Sequence, residues 1–129
     1  LLMYPMLDNC HDTDSGRIED YPIWPRSSSF NAWRMYLAGE PELNASPYAA
    51  AARADDVSGL PPAFISVGTE DLFRDEDIDY ARRLVAAGVP CELAVYPGVY
   101  HAAEVFTPDA RVSQRMHRAM IQALSHALS

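Results

Sequence analysis

The sequence contains no lysine; all ten of its basic residues are arginine. Chemistry that needs a lysine amine, such as Schiff-base formation on a carbonyl substrate, is excluded. Positive charge is scarce as well, ten basic residues against eighteen acids, for a formal net charge of −8. A chain that acidic repels phosphate backbones and anionic lipid surfaces, so neither nucleic acid nor membrane is an expected partner. Two cysteines, Cys10 and Cys91, are too few for a disulfide framework. They read as free thiols in a reducing, cytoplasmic compartment. No apolar run approaches the ~20 residues of a membrane span. Leu1–Leu7 is too short and too interrupted by Pro5 for a secretory leader. The first residue is leucine rather than methionine, so the chain is expected to be a portion of a longer protein.

What is present fits one ordinary core. The 129 residues, 49% hydrophobic and 22% charged, suit a single soluble globular unit rather than a disordered chain. Leu1-Leu2-Met3-Tyr4 reads as a buried strand closed by Pro5. A long polar segment follows, from Asp8 to Arg26. Ser27–Ser29 are placed to cap a helix with Phe30, Trp33 and Leu37 on one face, stopped by Gly39 and Pro41. Asn44–Pro62 reads as a second loop with a short helical turn near Tyr48–Arg53. Ala63–Val67 is a strand. Asp75 is placed to cap a helix to about Ala87, with Ile78, Ala81, Leu84 and Val85 on its apolar side and Gly88 as its stop. Glu92–Tyr96 is the next strand, closed by Pro97-Gly98. Thr107-Pro108 opens a last helix with Val112, Met116, Met120, Leu124 and Leu128 on one stripe. Alternation of strands and helices gives an α/β class: about three parallel strands with flanking helices.

In such a sheet, functional groups collect beyond the carboxyl ends of the strands. Asp71 stands there after the strand Ala63–Val67, and His101 after the strand Glu92–Tyr96. They are 30 residues apart, about one strand–helix–strand repeat. On neighbouring strands ~4.8 Å apart, the Asp71 carboxylate would accept a hydrogen bond from one imidazole nitrogen of His101. That fixes the tautomer and leaves the other nitrogen as a general base for a serine. On pattern alone Asp71 is equally an ordinary turn residue, one of six acids between Glu70 and Asp79 that are expected to be solvated or helix-capping. A lone His101 would be an ordinary loop histidine; the matched pair favours the functional reading.

Leu60-Pro61-Pro62-Ala63-Phe64, Gly68-Thr69-Glu70-Asp71-Leu72-Phe73-Arg74-Asp75-Glu76, Ala86-Ala87-Gly88-Val89-Pro90, Tyr96-Pro97-Gly98 and His101 resemble the C-terminal half of the hormone-sensitive-lipase-like esterases. Tyr4-Pro5-Met6 and Ser46-Pro47-Tyr48-Ala49 add to the likeness. The resemblance implies an α/β-hydrolase fold and hydrolysis of a small carboxylic ester. It makes Asp71 the triad acid, His101 the triad base and Asp75-Glu76 the acidic pair opening the next helix. It implies no cofactor and no metal. Two features depart from the family. His101 is followed by Ala102-Ala103 instead of glycine and an aromatic. Neither a G-x-S-x-G nucleophile elbow nor a His-Gly-Gly oxyanion segment occurs. Residues 1–129 are thus expected to be the C-terminal portion of one domain, with a lid-like loop insertion at about 8–58. Nucleophile and oxyanion hole would lie outside the chain.

Other candidates are weaker. Ser27–Ser29 lack the Gly-flanked turn that exposes a nucleophile, and Ser66 is expected to be buried in mid-strand. Cys91 sits at the wrong end of its strand to serve His101. Cys10-His11-Asp12-Asp14 matches no closed zinc spacing and reads as a solvated acidic loop. His117 and His126 fall on the last helix as surface residues. Phe30, Trp33 and Met35 are candidate walls of an acyl pocket, with plain helix packing as the alternative. A different class of reading makes the chain a non-catalytic module. It would self-associate, or bind the rest of its domain, through an open sheet edge and an uncovered apolar face.

Overall fold

The computed structural model describes residues 1–39 and 45–129. In chain order the elements are β1 (Leu2–Met3), α1 (Arg26–Tyr36), β2 (Ala63–Glu70), α2 (Arg74–Ala86), β3 (Cys91–Tyr100), α3 (Ala103–Phe106) and α4 (Arg111–Ala127), with 3-10 turns at Ser15–Arg17 and Ala51–Arg53. The strands form one all-parallel sheet in the order β1-β2-β3. Side chains alternate between the faces of a strand, and the core divides accordingly. Ile65 packs with Tyr80, Ala81 and Leu84 of α2 on one face. On the other, Ala94 and Tyr96 pack with Met116 of α4. The sheet thus lies between helices in three layers, as the alternation predicts. Among the described residues no helix is long and apolar enough to cross a membrane.

The sequence-derived elements need correction in detail. β1 is a half-buried edge rather than a buried strand, because it has a neighbour only on the β2 side among the described residues. Pro25, not a serine, occupies the N-cap of α1. Its extended backbone, φ −70° and ψ 162°, starts the helix at Arg26 and draws all three serines inside it. The helix stops at Tyr36, before the expected Gly39; Pro41 and Asn44 lie outside the described residues. Phe73, not Asp75, is the N-cap of α2. That helix buries Glu76, Asp77, Tyr80, Ala81 and Leu84, while Ile78 and Val85 face solvent. Its inner face is turned because Glu76 must reach the backbone N–H groups of Leu7 and Asp8. Thr107 does not begin the last helix. It closes the short α3, and α4 starts four residues on, at Arg111. Met116 and Met120 are buried as the stripe predicts, but Leu124 and Leu128 are exposed.

The largest correction positions the site. Pro97-Gly98 does not end β3. Pairing advances from Gly68–Tyr96 to Glu70–Tyr100, two residues along β2 and four along β3. β3 therefore bulges at Pro97-Gly98 and continues, with Gly98 at φ 71° donating its N–H to Thr69 Oγ1 at 2.8 Å. Because Glu70 pairs with Tyr100, the next residues on each strand, Asp71 and His101, leave the sheet side by side.

Candidate active site

Asp71 follows β2 directly and is fully buried. Its Oδ1 accepts the backbone N–H of Phe73 at 3.1 Å, an Asx turn that fixes the carboxylate as the chain enters α2. Its Oδ2 lies 3.1 Å from Nδ1 of His101. An ionised carboxylate only accepts, so Nδ1 is the protonated nitrogen in this contact. Nε2 is left as the ring's basic nitrogen, and it makes no hydrogen bond among the described residues. The His101 side chain is 15% exposed. The sequence-predicted pair is thus brought into hydrogen-bonding contact, the acid fully buried and the imidazole partly so.

Three rings enclose the imidazole. Tyr4 meets it edge to face with centroids 4.4 Å apart, and Phe73 does so at 5.5 Å. Trp24 stacks on it at 5.5 Å with only 28° between the planes. The Tyr4 hydroxyl donates to Glu104 of α3. Burial first, and that carboxylate second, push the Tyr4 hydroxyl well above the ordinary phenol range. Sequence reading missed all three rings. Phe73 stands two residues from Asp71 and Tyr4 just past the end of β1. Trp24 carries the clearest overlooked signal, a large aromatic between Pro22 and Pro25 in a long loop.

Backbone strain gathers at the same place. Ala102 has φ 58° and ψ 27°, a left-handed conformation that favours glycine. This locates the departure noted after His101: the backbone keeps a glycine-type turn with alanine in it. Tyr4 (φ 37°) and Ile23 (φ 68°) are also left-handed, so residues in or beside the ring contacts of His101 make up three of the five such non-glycine positions described. Strained backbone of this kind collects at functional sites.

The acids after Asp71 are not a solvated run. Glu76 Oε1 accepts the N–H groups of Leu7, at 2.7 Å, and Asp8, at 3.3 Å. Asp75 accepts the N–H of Ser15 at 2.7 Å, and its own N–H donates to Ser15 Oγ at 3.1 Å. The two acids that open α2 therefore pin the long loop after β1. Burial raises Glu76 to about 8 and Asp77 to about 10.

The other candidates lie elsewhere. Trp33 is buried in the α1 core against Ala45 and Ala50. Phe30 packs on His11 and lies under the Arg26 guanidinium. Met35 is 85% exposed. None of the three packs on the imidazole, because the buried face of α1 is turned to Ala45 and Ala50. The Cys10–Asp14 segment is not wholly solvated: His11 is buried, its Nε2 2.6 Å from Ser29 Oγ. That serine–histidine contact is sealed from solvent at both ends. Ser66 is buried, both cysteines are free, and His117 and His126 are exposed. Among the described residues, no three His, Cys, Asp or Glu converge as a metal site.

The family model for the alpha/beta hydrolase fold matches residues 1–105. The chain belongs to that family. It is 43% identical over 63 residues to esterase LipI of Mycobacterium tuberculosis, covering 48% of this chain and 20% of that protein. It is 38% identical over 84 residues to carboxylesterase NlhH of the same species, covering 64% of this chain and 26% of that one. Among solved structures, a bacterial heroin esterase superposes with a TM-score of 0.91 at 41% identity, over 99% of this chain and 42% of its own. Esterase LipW from Mycobacterium marinum gives 0.90 at 34% identity, over 98% and 40%. A hormone-sensitive lipase from a metagenome library, 23% identical, shares the fold with a TM-score of 0.83 over 96% of this chain and 42% of its own. The expected likeness to hormone-sensitive-lipase-like esterases therefore stands. The chain spans only about a quarter or less of the curated relatives it matches.

Proposed function

We propose that this chain is the C-terminal portion of a carboxylic ester hydrolase and supplies the acid and base of a Ser-His-Asp triad. The nucleophile comes from a segment outside it. The observation that carries this reading is the 3.1 Å contact of Asp71 Oδ2 with His101 Nδ1 at the ends of adjacent parallel strands. Nε2 of His101 takes the proton of the attacking serine as the ester carbonyl becomes tetrahedral. It returns that proton to the leaving alcohol as the acyl-enzyme forms. It then takes a proton from water as the water oxygen attacks the acyl group, and it hands that proton to the serine oxygen as the acyl bond breaks and the acid leaves. Asp71 holds the ring and stabilises the imidazolium without itself being protonated. The substrate class is a small carboxylic ester. The two unpaired cysteines suit a reducing, cytoplasmic setting.

The test uses the protein with its upstream segment restored and a short-chain nitrophenyl ester. His101→Ala should lower kcat by about three orders of magnitude or more. Full activity in that variant would overturn the reading. The 129-residue chain alone should show no turnover.

A second role rests on a separate observation. Tyr48 is 100% exposed, and Met35, Val105 and Phe106 are also exposed. Apolar surface and an open β1 edge favour covering, by the rest of the domain or by a second copy. The isolated chain should therefore self-associate in sedimentation; a clean monomer at high concentration would remove this role.

A further inference from the structure

The acid side of His101 is accounted for by Asp71, but nothing in a triad explains what covers the flat of the ring. Of the three enclosing rings, Trp24 alone lies nearly parallel to the imidazole, 28° off, while Tyr4 and Phe73 meet it at 60° and 72°. It comes from the polar loop, which carries no secondary structure at that point. Hydrogen bonds at several points hold that loop. Glu76 grips Leu7 and Asp8, Asp75 grips Ser15, Ser15 Oγ donates to the Leu72 carbonyl at 2.9 Å, and Arg26 Nε donates to the Gly16 carbonyl at 2.8 Å. The last turn before the indole is tight. Trp24 N–H donates to the Pro22 carbonyl at 2.7 Å, with Ile23 between them at φ 68°. A β-branched residue in that region is a genuine outlier. The fold accepts it and so lays the indole over the ring, packed on the buried Tyr21, Leu72 and Phe73 cluster that Tyr4 and Met6 also join.

We propose that Trp24 is a positioning residue for His101: its indole face holds the imidazole in the plane that meets Asp71 and favours the ring when it becomes imidazolium. The inference rests on the triad reading above. An aromatic face attracts a cation that lies over it. The ring is positive only while it holds the serine or water proton, so the contact strengthens on the way to the transition state and should act on kcat rather than KM. The acids that open α2 then have a connected task, since they anchor the loop from which Trp24 hangs.

The test compares Trp24→Leu, Trp24→Phe and His101→Gln in the protein with its upstream segment, on nitrophenyl acetate. Thermal unfolding and the Nδ1–H proton resonance of His101 are followed alongside. Trp24→Leu should lower kcat about tenfold with KM unchanged and broaden the Nδ1–H resonance. Trp24→Phe, which keeps a flat aromatic face, should recover most of kcat and the sharp resonance. A rise in KM alone would make Trp24 a wall of the substrate pocket and overturn the proposal. Unchanged kinetics would overturn it too, as would equal losses in both Trp24 variants in step with lowered unfolding temperature. Wild-type activity in His101→Gln would instead remove the triad reading, whatever Trp24 does.

Discussion

Gly68 and Val99 meet backbone to backbone: a Cβ built on Gly68 would stand 1.9 Å from the Val99 carbonyl oxygen and 2.6 Å from its carbon. The contact lies inside the bulge that shifts β3 by two residues against β2. That shift pairs Glu70 with Tyr100 and lets Asp71 and His101 emerge together. Glycine at 68 is therefore a condition of the acid–imidazole geometry and not merely a flexible spot.

Gly68→Ala should lose stability, because a methyl group there can be housed only by moving β3. Overpacking of this kind costs about 1–3 kcal/mol, here at the bulge that sets the register. The expected result is a clear drop in unfolding temperature and loss of the His101 Nδ1–H resonance. Retention of both would mean the bulge can open without disturbing the pair.

Ala102→Gly should act in the opposite sense. A left-handed alanine costs about 1–2 kcal/mol, and glycine gives back part of the relief through its unfolded-state freedom. The net expected gain is about 0.5–1 kcal/mol in denaturant unfolding. A loss would show that the Ala102 methyl has a packing role that outweighs its backbone strain.

Much of the architecture was legible because periodicity and turn residues speak directly. Ala63–Val67, the α2 segment stopped before Gly88, and Met116 with Met120 follow from spacing alone. The contact of Asp71 with His101 was legible for another reason, since strand ends in a parallel sheet are where side chains gather. Other features depended on tertiary partners. Asp75 resembles a cap, but its Oδ2 accepts from Ser15, 60 residues away, and its Oδ1 from the Arg74 guanidinium. Glu76 looks solvated, yet it is buried on the backbone of Leu7. Pro97-Gly98 reads as a stop and acts as a bulge, because β2 continues beside it and Thr69 takes up the freed N–H. Trp24 stood out only as a large aromatic between two prolines, Pro22 and Pro25. Nothing local to residues 8–25 reports the ring it will cover.

Asp71→Asn is the most selective probe of the acid. The amide nearly preserves the shape, but its NH2 group can donate to Nδ1, which favours the tautomer with the proton on Nε2. That tautomer cannot accept a proton at Nε2, the step the proposed triad requires. With the upstream segment restored, kcat should fall by about 10⁴ while unfolding temperature changes little. A variant that keeps more than a tenth of its activity would show that Asp71 does not set the tautomer.

The buried carboxylates of α2 make stability depend on pH in a direction opposite to that of salt-bridged acids. Glu76 and Asp77 are raised by burial to about 8 and about 10. Folded, they keep protons that the unfolded chain releases near pH ~4. Stability therefore falls as pH rises from about 4 through those values, because the unfolded state binds fewer protons. Asp77→Asn removes one such step. The difference in unfolding temperature between this variant and the wild-type chain should be small near pH 4 and grow on the alkaline side, to about 5 °C or more by pH 8. His11 has the opposite sign. Burial lowers it, so the unfolded chain takes up a proton first as pH drops below ~6.5, and that loss appears only on the acid side. An Asp77→Asn difference that stays flat from pH 4 to 9 would mean the carboxyl is solvated or paired in solution rather than buried and protonated.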